Sequence, residues 1–220
     1  MKAMILAAGR GSRLRPLTDK RPKPLISIGK KSLIEHHIDK LANAGFESIV
    51  INTAYLGNQI REYIGDGSNY NIPISYSNEG EQALETGGGI SYALPLLGNE
   101  PFLLVSADIY CEIPFSKEFK FNNSKMHLFM VENPTHNLNG DFTSTEVDLK
   151  THASQRFTYS GVAYVDPELF IHEKRAFPLK ETIRRCINGN IISAELFIGT
   201  WFDVGTASRL HAANKYALGK

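Results

Sequence analysis

The run Leu6-Ala7-Ala8-Gly9-Arg10-Gly11-Ser12-Arg13-Leu14-Arg15-Pro16-Leu17-Thr18, with Pro22-Lys23-Pro24 close behind, constrains the fold more than any other part of the chain. A short apolar strand over Lys2 to Ala7 enters a glycine turn that carries fixed cations. Such a turn offers backbone N–H groups and positive charge to a polyphosphate. The charge map agrees: residues 1 to 31 hold nine Lys or Arg against the single acid Asp19, a net +8, whereas the whole chain carries only +1. The remaining residues therefore sum to −7. One concentrated cationic segment in a near-neutral chain suits a small anionic ligand and not a nucleic acid, which needs charge spread along a surface. Aromatic platforms for base stacking are also missing there, since no Phe, Tyr or Trp precedes Phe46.

Two common phosphate motifs do not fit. The third glycine of a dinucleotide fingerprint falls on Leu14, and Gly29-Lys30 is followed by Lys31 where a Walker sequence needs Ser or Thr. What remains is G-x-G-x-R-x-x-P with a trailing P-K-P. Downstream, strand-like runs alternate with helical patterns. Ser32-Leu33-Ile34-Glu35 is a capping box opening a helix that Gly45 stops, with Ser48 to Asn52 as the next strand. Leu56 to Ile64 reads as a helix, Ile74 to Ser77 as a strand, Gly88 to Leu97 as a helix, and Phe102 to Ser106 as a strand running into Asp108. This alternation predicts a parallel sheet. Beyond Pro114 the texture changes to strands around Met126 to Val131 and Phe157 to Val165, then helices over Lys180 to Asn188 and Thr206 to Lys215. The second half is expected to extend the sheet and cover the site that the first half opens.

At 220 residues and 42% hydrophobic content, one compact domain is expected. No apolar run is long enough for a membrane span or a signal segment, and Cys111 and Cys186 form no framework or metal spacing, so a reducing cytoplasm is the expected location. The seven histidines lack ligand spacing; of His36 and His37, one is expected at the core edge and one in solvent.

Three further blocks carry chemistry. Glu81 to Ile90 places Gly87-Gly88-Gly89 before a helix, where bare backbone can approach a base or ribose and the helix N-terminus favours an anion; Thr86 is a candidate N-cap. Leu103 to Asp108 ends an apolar strand on a carboxylate, and Trp201-Phe202-Asp203-Val204-Gly205-Thr206 supplies a second carboxylate 95 residues later. Two carboxylates plus substrate phosphates suffice for Mg²⁺. Gly140-Asp141 and Gly161 read by themselves as turn residues.

The glycine signature, the Gly-rich block and the two aspartate segments together resemble the sugar nucleotidyltransferases, the nucleoside-diphosphate-sugar pyrophosphorylases, along the whole chain. The resemblance implies a single Rossmann-like, GT-A-like α/β domain whose mostly parallel mixed sheet is flanked by helices. Its nucleotide-binding half would run over about 1–113 and its sugar-binding half over about 114–220. The implied partners are a nucleoside triphosphate, UTP, and a sugar 1-phosphate, with Mg²⁺ as cofactor, in a monomer or small homo-oligomer. Arg13 and Lys23 would be the catalytic cations, and Gly9, Gly11, Ser12, Glu85, Gly88 and Ser106 would join them in binding nucleotide. Asp141 and Gly161 would contact the sugar, and Asp108 and Asp203 the metal. Leu84-Glu85-Thr86-Gly87-Gly88-Gly89 is similar to the loop of the family's muramate-1-phosphate uridylyltransferases, which serve cell-wall recycling. Other pairings stay open: GTP with a mannose or heptose phosphate, dTTP with glucose 1-phosphate, or a regulatory subunit that only binds nucleotide sugar. Two departures from the pattern stand out. Ala107 precedes Asp108 where glycine is common, and no Glu-Lys-Pro supplies a lysine for the sugar phosphate.

Overall fold

The computed structural model describes residues 1–80, 84–150, 154–171, 173 and 176–219. In the first half, β1 (Ala3–Leu6) is followed by the short pair β2 (Ser27–Ile28) and β3 (Lys31–Ser32), then α1 (Leu33–Asn43), β4 (Ile49–Thr53), α2 (Gly57–Ile64) and β5 (Ile74–Asn78). Next come α3 (Glu85–Leu97), β6 (Phe102–Ser106) and β7 (Ile109–Cys111). The second half adds β8 (Met126–Val131), β9 (Phe142–Thr143), β10 (Arg156–Val165), α4 (Leu179–Asn188), β11 (Ile192–Leu196), β12 (Trp201–Asp203) and α5 (Ala207–Leu218).

The main sheet has the order β11-β8-β10-β6-β1-β4-β5, with β9 on β10. The strands β6, β1, β4 and β5 run parallel, β10 is antiparallel to both β6 and β8, and β11 is parallel to β8. This is a mostly parallel mixed sheet, and both halves of the chain share it. Because β1 and β6 are central, Ala3, Met4, Ile5 and Leu103 to Val105 are wholly buried on both faces. One face packs on α1 and α2 through Ile34, Ile38, Leu41, Ile60 and Ile64; the other packs on α3 and α4 through Ile90, Ala93, Leu97 and Ile183. Each such Ile or Leu side chain contributes about 1.5–3 kcal/mol of burial. The start of α1 is fixed as read: the Glu35 carboxylate accepts from the Ser32 N–H at 2.8 Å and from its hydroxyl at 2.6 Å.

Two expectations need correction. The helix expected from Gly88 begins at Glu85, so the three glycines lie inside its first turns and not in a loop before it. Neither histidine of the adjacent pair stands in solvent. His36 is half-buried and its Nε2 meets the Ile28 carbonyl at 2.8 Å, while His37 is buried with Nε2 at 2.9 Å from the Ile109 carbonyl. A further element escaped the sequence reading: β12 pairs with β7, Asp203 opposite Ile109, which carries the end of the chain back to the tip of β6.

Candidate active site

A cleft of about 350 Å³ opens at the carboxyl ends of β1 and β6, where parallel sheets present ligands. The loop after β1 forms its floor. Asn52, at the end of β4, is buried and its Oδ1 accepts the Ala7 N–H at 2.7 Å, fixing where the loop leaves the strand. Gly11 has φ +65°, and a Cβ there would sit 3.0 Å from Lys23 Cβ and from Thr18 Cγ2, so this turn requires glycine. The Thr18 hydroxyl donates to the Gly11 carbonyl at 2.9 Å. Leu14 is buried beneath the turn and leaves Ser12 and Arg13 exposed at the cleft. Pro22 and Pro24 bracket Lys23 and preset the backbone of a short 3₁₀ turn. From it, Lys23, only 9% exposed along its side chain, donates from Nζ to Asp108 Oδ2 at 2.7 Å.

The opposite wall is a partly buried polar chain. Asn52 Nδ2 donates to Glu79 Oε1 at 2.6 Å, and Glu79 Oε2 accepts the Leu84 N–H at 3.0 Å. Gly89 packs on this pair so closely that a Cβ would lie 2.5 Å from Glu79 Oε1. The Gly87 and Gly88 N–H groups donate to the Phe177 carbonyl at 2.8 and 3.1 Å, and a Cβ on Gly87 would meet the Phe177 ring at 2.4 Å. In return, Thr86 Oγ1 accepts the Leu179 N–H at 2.8 Å, capping α4 and not α3 as its position suggested. The glycines therefore clasp two helix ends together. The Gly87 and Gly88 amides are taken by Phe177, and Gly88 is not among the residues lining the cleft. Glu85 does line it, from a left-handed backbone at φ +58°. Residues 81–83 of this block lie outside the described residues.

A second cleft, about 380 Å³, adjoins the first and shares Ser106 and Asp108 with it. Asp141, Gly161 and Asp203 line this one. Gly161 sits at φ +87° where the β8–β10 register slips between Tyr159 and Ala163; a Cβ there would meet Ser106 Oγ at 2.9 Å. Asp141 Oδ2 accepts the Tyr159 N–H at 2.9 Å, and its Oδ1 accepts from Asn137 Nδ2 at 3.3 Å, so this carboxylate also braces the wall. The β7–β12 ladder ends with the Val204 N–H donating to the Asp108 carbonyl at 2.9 Å, which makes Asp108 and Asp203 neighbours. Asp203 Oδ2 accepts from Arg209 Nη1 at 2.8 Å and lies 3.3 Å from His136 Nε2. Its other oxygen, Oδ1, is buried and has no hydrogen-bond partner among the described residues.

Of the residues singled out in the sequence, Gly9, Gly11, Ser12, Arg13, Lys23, Glu85, Ser106 and Asp108 thus meet in the first cleft, and Asp141, Gly161 and Asp203 in the second. Asn52, Glu79, Gly205 and Arg209 were not foreseen. Asn52 alone left a signal, as a polar residue closing an apolar strand.

Residues 2–142 match the family model described as Nucleotidyl transferase. The chain belongs to that family. Along 99% of its length this nucleotidyltransferase is 45% identical to a Neisseria meningitidis protein, covering 98% of it, named N-acetylmuramate alpha-1-phosphate uridylyltransferase. A Caulobacter vibrioides protein of the same name is 43% identical over 48% of the chain and 45% of its own length. A solved Bacillus anthracis structure, described as a glucose-1-phosphate thymidylyltransferase, superposes with a TM-score of 0.82 over 100% of this chain and 96% of its own; at 19% identity it speaks for the fold alone. No helix among the described residues of the nucleotidyltransferase is long and apolar enough to cross a membrane.

Proposed function

We propose that this nucleotidyltransferase moves the uridylyl group of UTP onto N-acetylmuramic acid 1-phosphate, giving the UDP-sugar and pyrophosphate. The observation that carries the reading is the junction of the two clefts at Asp108. One cleft holds the fixed cations a triphosphate needs, and the adjoining one has room for an acceptor whose attacking oxygen would meet the α-phosphorus there. The choice of uracil and muramate follows the near-full-length relative's name.

In this reading Arg13 neutralises the β,γ-phosphates of the leaving group, and Lys23 serves the α-phosphate and the incoming phosphate. Gly9, Gly11, Ser12, Glu85 and Ser106 position the nucleotide, while Gly88 supports the wall from behind. Asp141 and Gly161 shape the sugar side. Charged lining residues of the second cleft are the acids Asp108, Asp141 and Asp203, with His136 the one basic side chain among the described residues. An anionic sugar phosphate meets repulsion there unless a cation intervenes. Asp108 and Asp203 would hold that ion, Mg²⁺, and the unpartnered buried Asp203 Oδ1 fits a cation ligand. Among the described residues no group of three or more metal-binding side chains exists, so substrate phosphates would complete the shell. When bound, the ion supplies charge neutralisation and alignment of the reacting phosphates. The protein's residues contribute positioning and electrostatic stabilisation and no covalent step. A cytoplasmic setting and a part in cell-wall recycling belong to the same proposal.

Pyrophosphate release across a panel of nucleoside triphosphates and sugar 1-phosphates tests it. UTP with N-acetylmuramic acid 1-phosphate should be the best pair. A tenfold preference in kcat/KM for GTP, or indifference to the lactyl ether of muramate, would overturn the substrate assignment.

A further inference from the structure

We infer that Arg209 is a positioning residue for the Asp203 carboxylate, and that position 205 is glycine so that the guanidinium can lie against it. The inference rests on the reading that Asp203 holds a divalent cation. The two acids that meet at the junction are held differently. Lys23 covers Oδ2 of Asp108, which is 44% exposed along its side chain, so water or a ligand can take the place of the ammonium. Arg209 and Asp203 are only 18% and 22% exposed, and their contact uses one carboxylate oxygen while the other stays buried and unpartnered.

The guanidinium is itself locked. Arg209 Nε donates to Thr206 Oγ1 at 3.3 Å, and the same hydroxyl accepts the Arg209 N–H at 3.4 Å as the N-cap of α5. The side chain is thereby folded back over the first turn of its own helix onto the end of β12. A Cβ on Gly205 would stand 2.3 Å from Arg209 Nη2 and 2.9 Å from Asp203 Oδ1. Any side chain there would push the guanidinium off and crowd the free oxygen. With His136 on the same Oδ2, rotation of the carboxylate is blocked and Oδ1 is left as the ligand. Partners of this kind, which orient a ligating group from behind, typically change metal affinity 10–100-fold when lost.

The sign of the effect separates positioning from mere charge. A fixed cation close to a metal site repels the ion, so deleting Arg209 should tighten metal binding if charge were all that mattered. If Arg209 positions the ligand, deletion weakens binding instead. Mn²⁺ is the probe, titrated onto the protein alone and onto the protein saturated with non-transferable α,β-imido-UTP. The readout is quenching of the one tryptophan, Trp201, which is two residues from Asp203 in β12. Arg209→Met should raise the Mn²⁺ Kd about tenfold. Gly205→Ala should do the same although both charges remain, and Arg209→Lys should fall between wild type and Arg209→Met. An unchanged or lower Kd in the Met and Ala variants overturns the inference. Asp203→Asn is the control. If it leaves the Kd unchanged, the metal assignment itself fails, whereas weakening in Asp203→Asn but not in the Arg209 and Gly205 variants refutes Arg209 alone. Should thermal melting show Arg209→Met unfolded, the Lys and Ala variants decide by the same criterion.

Discussion

Replacing Lys23 with methionine separates the chemistry of the site from its folding. The methionine keeps most of the stem that packs under the glycine turn, where the Lys23 side chain is 9% exposed, and removes only the ammonium. The folded protein then leaves Asp108 without its partner. Because the Asp108 side chain is 44% exposed, water takes over, and the stability change should stay within about 1 kcal/mol in either direction. For a domain of this size that is a Tm shift of about 2–4 °C. The transition state loses far more. A preorganised donor aimed at developing phosphate charge contributes on the order of 100-fold to 1000-fold in kcat, about 3–4 kcal/mol. Pyrophosphate release at saturating substrates, measured beside thermal melting of the same preparation, should therefore show a deep loss of kcat in a protein that melts almost normally. Lys23→Ala should lose as much activity but more stability, since it opens space beneath the loop. A Lys23→Met variant that kept more than about a third of wild-type kcat would refute the catalytic role, and a kcat loss matched by an equally deep loss of Tm would mean that the ion pair is structural.

Asp108→Asn and Asp203→Asn should each weaken the Mg²⁺ dependence of activity, and their losses should be non-additive, because the double variant cannot lose one ion twice; strictly multiplicative losses at saturating Mg²⁺ would assign one of them a purely structural part. Burial, reinforced by the neighbouring Lys40 charge and only partly opposed by the Ile109 carbonyl, pushes the His37 imidazole down to about 3. The unfolded chain therefore binds a proton that the folded chain refuses between about pH 6.5 and 3. Stability attributable to His37 should fall with falling pH across that window by up to about 1.4 kcal/mol per unit. Urea denaturation at pH 7 and 5 should give His37→Gln a flatter dependence than wild type, and equal slopes would refute the attribution. Gly87→Ala forces a methyl against the Phe177 ring, so it should cost about 1–3 kcal/mol and slacken the α3–α4 clasp, read as a lowered Tm and a raised KM for UTP; a Tm within 1 °C of wild type would refute the packing argument.

What the sequence discloses and what it hides divide along a physical line. Residues that face the cleft announce themselves, because a bare turn beside an apolar strand and a carboxylate at a strand end stand out from the core pattern; Gly11, Lys23 and Asp108, which line it, were legible for that reason. Residues that hold them are not. Asn52 reads as one polar break in an apolar strand, and its partner Glu79 lies 27 residues away; only the β1–β4–β5 register brings Ala7, Asn52 and the end of β5 side by side. The glycine block shows the same dependence on tertiary context: bare backbone permits close approach by anything, and here the Phe177 carbonyl just ahead of α4 accepts the Gly87 and Gly88 amides. Lys23 lines the cleft, and the turn that presents it buries its stem to aim its tip. The pairing of Asp108 with Asp203 depends on a three-residue ladder between β7 and β12, too short to leave any periodicity. Resemblance could couple those two acids across 95 residues. Their separate behaviour, one covered by an exchangeable lysine and one clamped by a locked arginine, appears only when the chain is folded.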